Sequence, residues 1–273
     1  MDLSEAERLY QSTEYGRAID LLNASGKKDA AAYTLLGKAY YMQAQYREAI
    51  ANFEKAVADD SLNSSYYDWL GRSYGRLAET SSFLSALGYA RKTVRSFERA
   101  VAIGPSDQEA LSDLFEYYLE APAMVGGGVD KAEAIARRFA PLNAAEYHWA
   151  FARLAGKRKD YDAAEREYRA ALEAEPHEIG RTLDLAAFLC SRGRYEESDA
   201  LFNAAEEKYP GSAKLLYARA AADVQSKRRL DQAEVLLNRY LALQITPDDP
   251  SRRETAALLK SVRELRAKSR PSD

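Results

Sequence analysis

An all-α fold of stacked helix hairpins is predicted by three observations. Small and aromatic residues recur at helical spacing, the pattern restarts about every 34 residues, and turn residues separate the pieces. Residues 30–63 carry the pattern in its fullest form. Tyr33, Leu36 and Tyr40 fall at i, i+3 and i+7, so they share one face of a first helix; Ala49, Phe53 and Ala56 do the same on a second. Gly37 and Ala49 are small where the two helices should cross most closely, because larger side chains would hold the backbones apart. One such hairpin cannot bury its apolar face alone, so neighbours must stack on both sides.

These residues resemble the tetratricopeptide repeat, a helix–turn–helix unit of about 34 residues. The resemblance implies a right-handed superhelical solenoid of about seven such hairpins, closed by a C-terminal capping helix. It covers nearly the whole chain, as one repeat domain over 1–273. The motifs are specific in the second, third, fifth and sixth units and weaker elsewhere. The strings WLGRSYGRLAETSSFLSALGYARK and LFEYYLEAPAMVGGGVDKA are also similar to an uncharacterised bacterial subfamily with an AP-x-x-x-GGG-x-x-KA loop. Members of that group are often exported; the likeness supplies no activity.

The first unit, 1–29, is degenerate, as a terminal repeat facing water should be. Ser4 and Glu7 have capping-box spacing, Tyr15, Ala18 and Leu22 mimic the second-helix pattern, and Gly26 with Lys27 and Lys28 closes the helix. The second unit is 30–63. The third, 64–107, restates Tyr67, Leu70-Gly71 and Tyr74, but Phe97 and Ala100 arrive about ten residues later than the period requires. The extra residues, 78–90, read as extended helix ends with a short ordered excursion. The fourth unit, 108–144, is degenerate. It opens on Ser106 and Glu109 as a capping box, ends its first helix at Pro122, and passes through a permissive loop of Gly126, Gly127 and Gly128. A helix beginning near Asp130 then carries Ala132, Ile135 and Phe139.

Units 145–178 and 179–212 return to the rule, with Tyr161, Ala164, Tyr168 and Ala171, then Tyr195, Ser198, Phe202 and Ala205. The seventh, 213–247, keeps Ala233, Leu237 and Tyr240. The cap, 248–273, starts at Asp249 with Pro250 or at Ser251 with Glu254, and shows one apolar stripe of Leu258, Val262 and Leu265. Its tail, AKSRPSD, should fray.

Composition narrows the function classes. Hydrophobic residues at 47% and charged residues at 30% fit amphipathic helices. A net charge of -3 lacks the basic excess that phosphate binding needs, so nucleic acid is not an expected partner. The single cysteine, Cys190, excludes an intramolecular disulfide and reads as a packing residue. No stretch approaches the roughly 18 apolar residues of a membrane span, so membrane insertion is not expected. MDLSEAERLYQS has no apolar signal core. The chain as written reads as cytoplasmic, or as periplasmic or otherwise exported if an N-terminal signal has been removed.

Chemistry-bearing constellations are lacking. The two histidines, His148 and His177, stand far apart, and HExxH, CxxC and EF-hand patterns do not occur. No metal, cofactor or catalytic set is therefore expected. His148 takes the core-facing place of Tyr33, and His177 falls in a solvated inter-repeat turn. The glycine run lacks GxxxxGK[ST] and no strand precedes it, which makes it a turn rather than a phosphate loop.

What remains is a binding surface. In tetratricopeptide proteins the first helices line the concave side, and the resemblance places Tyr41, Asp68, Arg72, Arg76, Glu109, Glu116, Glu120, Trp149, Arg153 and Lys157 there. Both signs of charge and a large aromatic suit an extended peptide or a partner helix; some of these charges could instead merely solvate the groove. The Lys/Asn carboxylate clamp of chaperone-binding members is not recognisable. A second surface is expected where the two irregular turns, 78–90 and 121–130, stack as one ridge bearing Phe83, Leu84, Leu87, Met124 and Val125. That ridge is either a binding site or a plug for a poorly matched repeat interface. The expected function is a non-enzymatic interaction scaffold; the alternative is an accessory subunit or assembly factor of a bacterial envelope or secretion machine.

Overall fold

The computed structural model describes residues 3–26 and 28–269. Lys27, named above as part of a helix closure, and tail residues 270–273 lie outside the described residues. Among the described residues there are fifteen α-helices and no strand. They fall into two compact units, Met1–Asn143 and Ala144–Asp273.

The first unit holds four helix pairs: α1 (Leu3–Gln11) with α2 (Tyr15–Ala24), α3 (Ala30–Met42) with α4 (Tyr46–Asp59), α5 (Ser64–Glu79) with α6 (Phe83–Ile103), and α7 (Gln108–Glu120) with α8 (Val129–Ala136). Members of each pair pack on one another, and each second helix but the last packs on the next first helix. The first helices α1, α3, α5 and α7 also touch in succession, closer than the second helices approach each other, which makes them the inner layer of this unit. The close crossings are built from a glycine and a phenylalanine. A Cβ on Gly37 would stand 2.7 Å from the Phe53 ring, and one on Gly71 would press still harder on Phe97. Both rings are buried, so the missing side chain is what lets each ring lie flat against the facing backbone.

Tyrosines tie successive hairpins together. Tyr74 Oη donates to Glu54 Oε1 at 2.9 Å, and Tyr118 Oη to Glu98 Oε1 at 2.7 Å. In both cases the ring is buried while its hydroxyl reaches a carboxylate on the preceding second helix. That is how an amphipathic ring satisfies its polar end at a packed interface.

The second unit holds α9 (Ala144–Lys157) with α10 (Tyr161–Ala174), α11 (Ile179–Ser191) with α12 (Tyr195–Lys208), α13 (Ala213–Gln225) with α14 (Leu230–Ala242), and the last helix α15 (Arg252–Ser269). Phe202 and Ala205 of α12 pack with Leu183, Ala186 and Cys190 of α11. Ser198 stands where other repeats have alanine, and its hydroxyl donates to the Ala186 carbonyl at 2.8 Å, so the polar atom is satisfied inside the crossing. Leu259 and Val262 of α15 cover Ala220, Ala233 and Leu237. Of the two starts expected for α15, Ser251 with Glu254 is the one formed: Ser251 N donates to Glu254 Oε2 at 3.1 Å, and Glu254 N to Ser251 Oγ at 3.1 Å.

Several local expectations need correction. α7 is capped by Asp107, which accepts from the amides of Glu109 and Ala110, and not by Ser106; Asp sits one residue nearer the helix and its carboxylate also favours the helix dipole. Ser4 is not a cap, because α1 already includes Leu3. In the third unit, by contrast, the extra residues do extend the helices, most of them lengthening α6 to 21 residues. The second helix of the fourth unit breaks into α8 and a 3₁₀ turn at Arg137–Phe139.

The glycine loop uses its backbone freedom at Gly126 and is closed by its own hydrogen bonds. Gly126 N donates to Ala123 O, Gly127 N to Pro122 O and Gly128 N to Tyr118 O. Gly126 has φ +105°, and any Cβ on Gly127 would collide with the Ala121 carbonyl. With all three amides donated internally, none is available to an anion.

Candidate functional site

In the first unit the inner layer carries an aromatic shelf edged by charge. Trp69 on α5 stacks on buried Phe53 at 5.9 Å between centroids, and the Tyr41 ring of α3 meets it edge-on at 5.3 Å. Two cations lie against the indole: the Arg72 guanidinium at 4.8 Å and Lys38 Nζ at 5.1 Å from its centroid. Arg72 follows Trp69 at i+3 and Asp68 at i+4, so one helical turn brings all three together. Trp69 itself is half-buried, leaving part of its surface accessible.

Arg72 is shared by three carboxylates. Its Nε lies 2.9 Å from Asp68 Oδ2 and also donates to Asp113 of α7, while Nη2 donates to Glu109 at 2.7 Å. One cation among three acids leaves a local excess of negative charge. Asp68 is 2% exposed, and its Oδ1 has no hydrogen-bond partner among the described residues. Burial first, then the neighbouring Asp113, pushes the Asp68 carboxyl up to about 8, against the pull of Arg72. Asp113 is raised as well, again chiefly by burial. Two acids on one guanidinium, both raised by burial, favour one shared proton. Burial also raises the Tyr41 hydroxyl to about 12.

The other inner-layer residues of this unit are more open. Arg76 reaches Glu79 at 3.2 Å. Glu116 is half-buried and Glu120 exposed, both on α7, whose only charged residues are Glu109, Asp113, Glu116 and Glu120. Sequence reasoning placed Asp68, Arg72 and Glu109 on one face but passed over Trp69 and Asp113. Asp113 could have been found from its i+4 spacing to Glu109.

In the second unit, Trp149 on α9 is half-buried with the Arg153 guanidinium 5.6 Å from its centroid, and Lys157 is exposed at the helix end. His148 is not a plain packing residue: its Nδ1 stands 2.7 Å from Glu167 on α10, with the side chain 34% exposed. His177 is exposed beside Lys208 Nζ at 3.2 Å. Cys190 is buried against the Ala222 carbonyl and Ser226. Arg181, nearly buried, ties α11 to Glu146 of α9 and to Glu175 in the preceding turn.

The turn inserted in the fourth pair lies against the body of α6, near Ala90 and Val94. Tyr117 Oη on α7 lies 2.8 Å from both the Ala90 and the Val125 carbonyls, placing the 3₁₀ turn Ala123–Val125 beside α6. Gly126 packs near Val94. Phe83, Leu84 and Met124 remain 70, 81 and 63% exposed, and Leu87 is half-buried. Val125 differs: at 6% exposure it is a core residue of this junction and is closed to any partner. Its inward direction follows from the 3₁₀ turn, which sequence spacing alone did not reveal.

Among the described residues, no group of three or more His, Cys, Asp or Glu could hold a metal ion, and no helix is long and apolar enough to cross a membrane.

Comparison with known proteins agrees with this architecture. The tetratricopeptide repeat family matches residues 157–222. A tetratricopeptide repeat protein from Parabacteroides merdae superposes with a TM-score of 0.64 at 16% identity, covering 96% of this chain and 97% of that one. A thermophilic tetratricopeptide repeat protein of Thermus thermophilus gives 0.56 at 22% identity, over 68% of this chain and 96% of its own. A chain of the APC/C hetero-tetramer Cut9–Hcn1 gives 0.53 at 16% identity, over 94% of this chain and 48% of that one. No curated protein matches the sequence. The fold is thus all-α and of tetratricopeptide repeat type.

Proposed function

We propose that this chain is a non-enzymatic interaction scaffold whose first helices take a peptide or a partner helix. The observation that carries the reading is the shelf of Tyr41, Trp69 and Arg72 bordered by the acids of α7. A half-buried indole gripped by cations offers a flat apolar anchor, and the acidic border suits a basic segment of the partner. Trp149 with Arg153 offers a second, smaller anchor in the other unit. The general role of tetratricopeptide repeats in protein association, and the naming of one structural relative as part of a hetero-tetramer, support the partner class.

The ridge of Phe83, Leu84, Leu87 and Met124 is a second candidate surface, since a turn that served only as linkage would not need large apolar side chains. The reading as an accessory subunit of an envelope or secretion machine differs only in where the partner resides. Affinity capture from a bacterial lysate tests the proposal. A specific polypeptide should be retained by the native chain and lost with Arg72→Glu or Trp149→Ala at unchanged helicity. Robust turnover of a small molecule by the purified protein would overturn it.

A further inference from the structure

We propose that the outward face of α6 docks an acidic amphipathic helix of a protein partner, with Gly88 at the crossing point. This rests on the reading of the ridge as a binding surface and adds the chemistry of its occupant. Leu84, Gly88, Arg91 and Arg95 are separated by four, three and four residues. At about 100° per residue they lie within roughly 60° of arc, a single stripe along the helix. All four are exposed, and the stripe points away from buried Thr93, Phe97 and Ala100.

No packing around α6 calls for a glycine at position 88, and among the other helical glycines only Gly156, next to the end of α9, is as open. Gly37 and Gly71 make room for rings, Gly126 has a left-handed backbone, and Gly127 is crowded by a carbonyl; a Cβ on Gly88 would meet nothing within 4 Å. Glycine inside an exposed helix weakens it relative to alanine. Its smallness matters only if something outside approaches α6 closely, as Phe53 and Phe97 approach the glycines facing them.

Charge names the occupant. α6 carries Arg91, Lys92, Arg95 and Arg99 against Glu98 alone, in a chain of net charge -3. Arg91 and Arg95 have no ion-pair partner among the described residues. At 1.5 Å per residue they stand about 10 and 16 Å along the axis from Leu84. The surface therefore runs from an apolar tip of Phe83 and Leu84 to a basic stretch, in a line. An elongated partner fits a line; a membrane surface would favour cations ringed around the tip at one depth. The acids of α7 repel the same partner, which separates this surface from the inner face.

The test is fluorescence anisotropy of the full chain with a labelled designed helical peptide that has a leucine stripe flanked by glutamates. Binding should weaken about tenfold or more on Arg91→Glu with Arg95→Glu, and return when lysine replaces the peptide glutamates. Gly88→Leu should block binding with a melting temperature equal to or above the parent's. Charge reversal at exposed Arg47 of α4, Arg47→Glu, should leave binding unchanged. If Leu84→Ser abolishes binding but arginine reversal does not, the ridge stands as a surface and the acidic partner is overturned. If neither change matters, or the peptide does not bind, the docking face is overturned. Binding to phosphatidylcholine–phosphatidylserine vesicles that is lost on arginine reversal, without peptide binding, would assign the face to lipid and overturn the proposal.

Discussion

Gly37 and Asp68 show what single residues decide here. A leucine at Gly37 must displace Phe53, whose ring is fully buried. Gly37→Leu should cost about 1–3 kcal/mol by overpacking, read as a lowered midpoint in urea unfolding. Asp68 makes stability depend on pH. Its carboxyl is raised when folded, so the native state holds a proton that the unfolded chain has released. The contribution is therefore fully present below the usual carboxylate value near 4 and is lost as pH rises through about 8. The slope from one group is at most about 1.4 kcal/mol per pH unit. Asp68→Asn should flatten the decline between those limits, and unchanged pH profiles would refute the assignment. The role of Gly37 was legible because its size and register are local facts. The state of Asp68 was not, because Asp113 reaches Arg72 from another helix, 41 positions away in sequence.

At the scale of the helix and its turn, five of the seven hairpins share one connection. Thr13, Ala44, Lys159, Gly193 and Lys227 each take a left-handed backbone between first and second helix. The amide that follows each returns to the carbonyl five residues before it, as Gln45 does to Tyr40, a closure that ends a helix cleanly. The other two hairpins are those with the irregular turns, where α6 is extended and the Ala123–Val125 turn is inserted. Sequence spacing located both departures. It did not show that Val125 turns inward or that three glycine amides are used up in closing the loop, because those depend on carbonyls of Tyr118, Pro122 and Ala123. Gly88→Ala tests the helix itself. With nothing near its Cβ, it should stabilise the protein by about 0.5–1 kcal/mol, measured as a rise in melting temperature.

For the whole molecule, the stacked design makes each end a liability, since a repeat with a missing neighbour exposes the face that neighbour covered. α15 answers this for the second unit. Leu259 and Val262 lie on Leu237, while Arg263 and Arg266 reach Glu234 on α14. Deleting residues 248–273 should uncover that apolar face and drive aggregation, seen as a loss of monodispersity in light scattering. A monodisperse, fully helical truncation would show that the cap is dispensable.

The amino-acid sequence alone determined the helical class, the order of the helices and the place of Gly37 and Gly71 at helix crossings; that each faces a phenylalanine came from the packing. The first three rest on spacing between near neighbours, which a helix converts directly into shared faces. Tertiary structure decided which charges are buried, that Trp69 and Asp113 join Arg72, and that Asp107 rather than Ser106 caps α7. It also decided that Phe83, Leu84 and Met124 face outward while Val125 does not. The reason is physical. Depth, ion pairing and closure depend on residues brought together by stacking from distant parts of the chain, and helical periodicity holds no record of that distance.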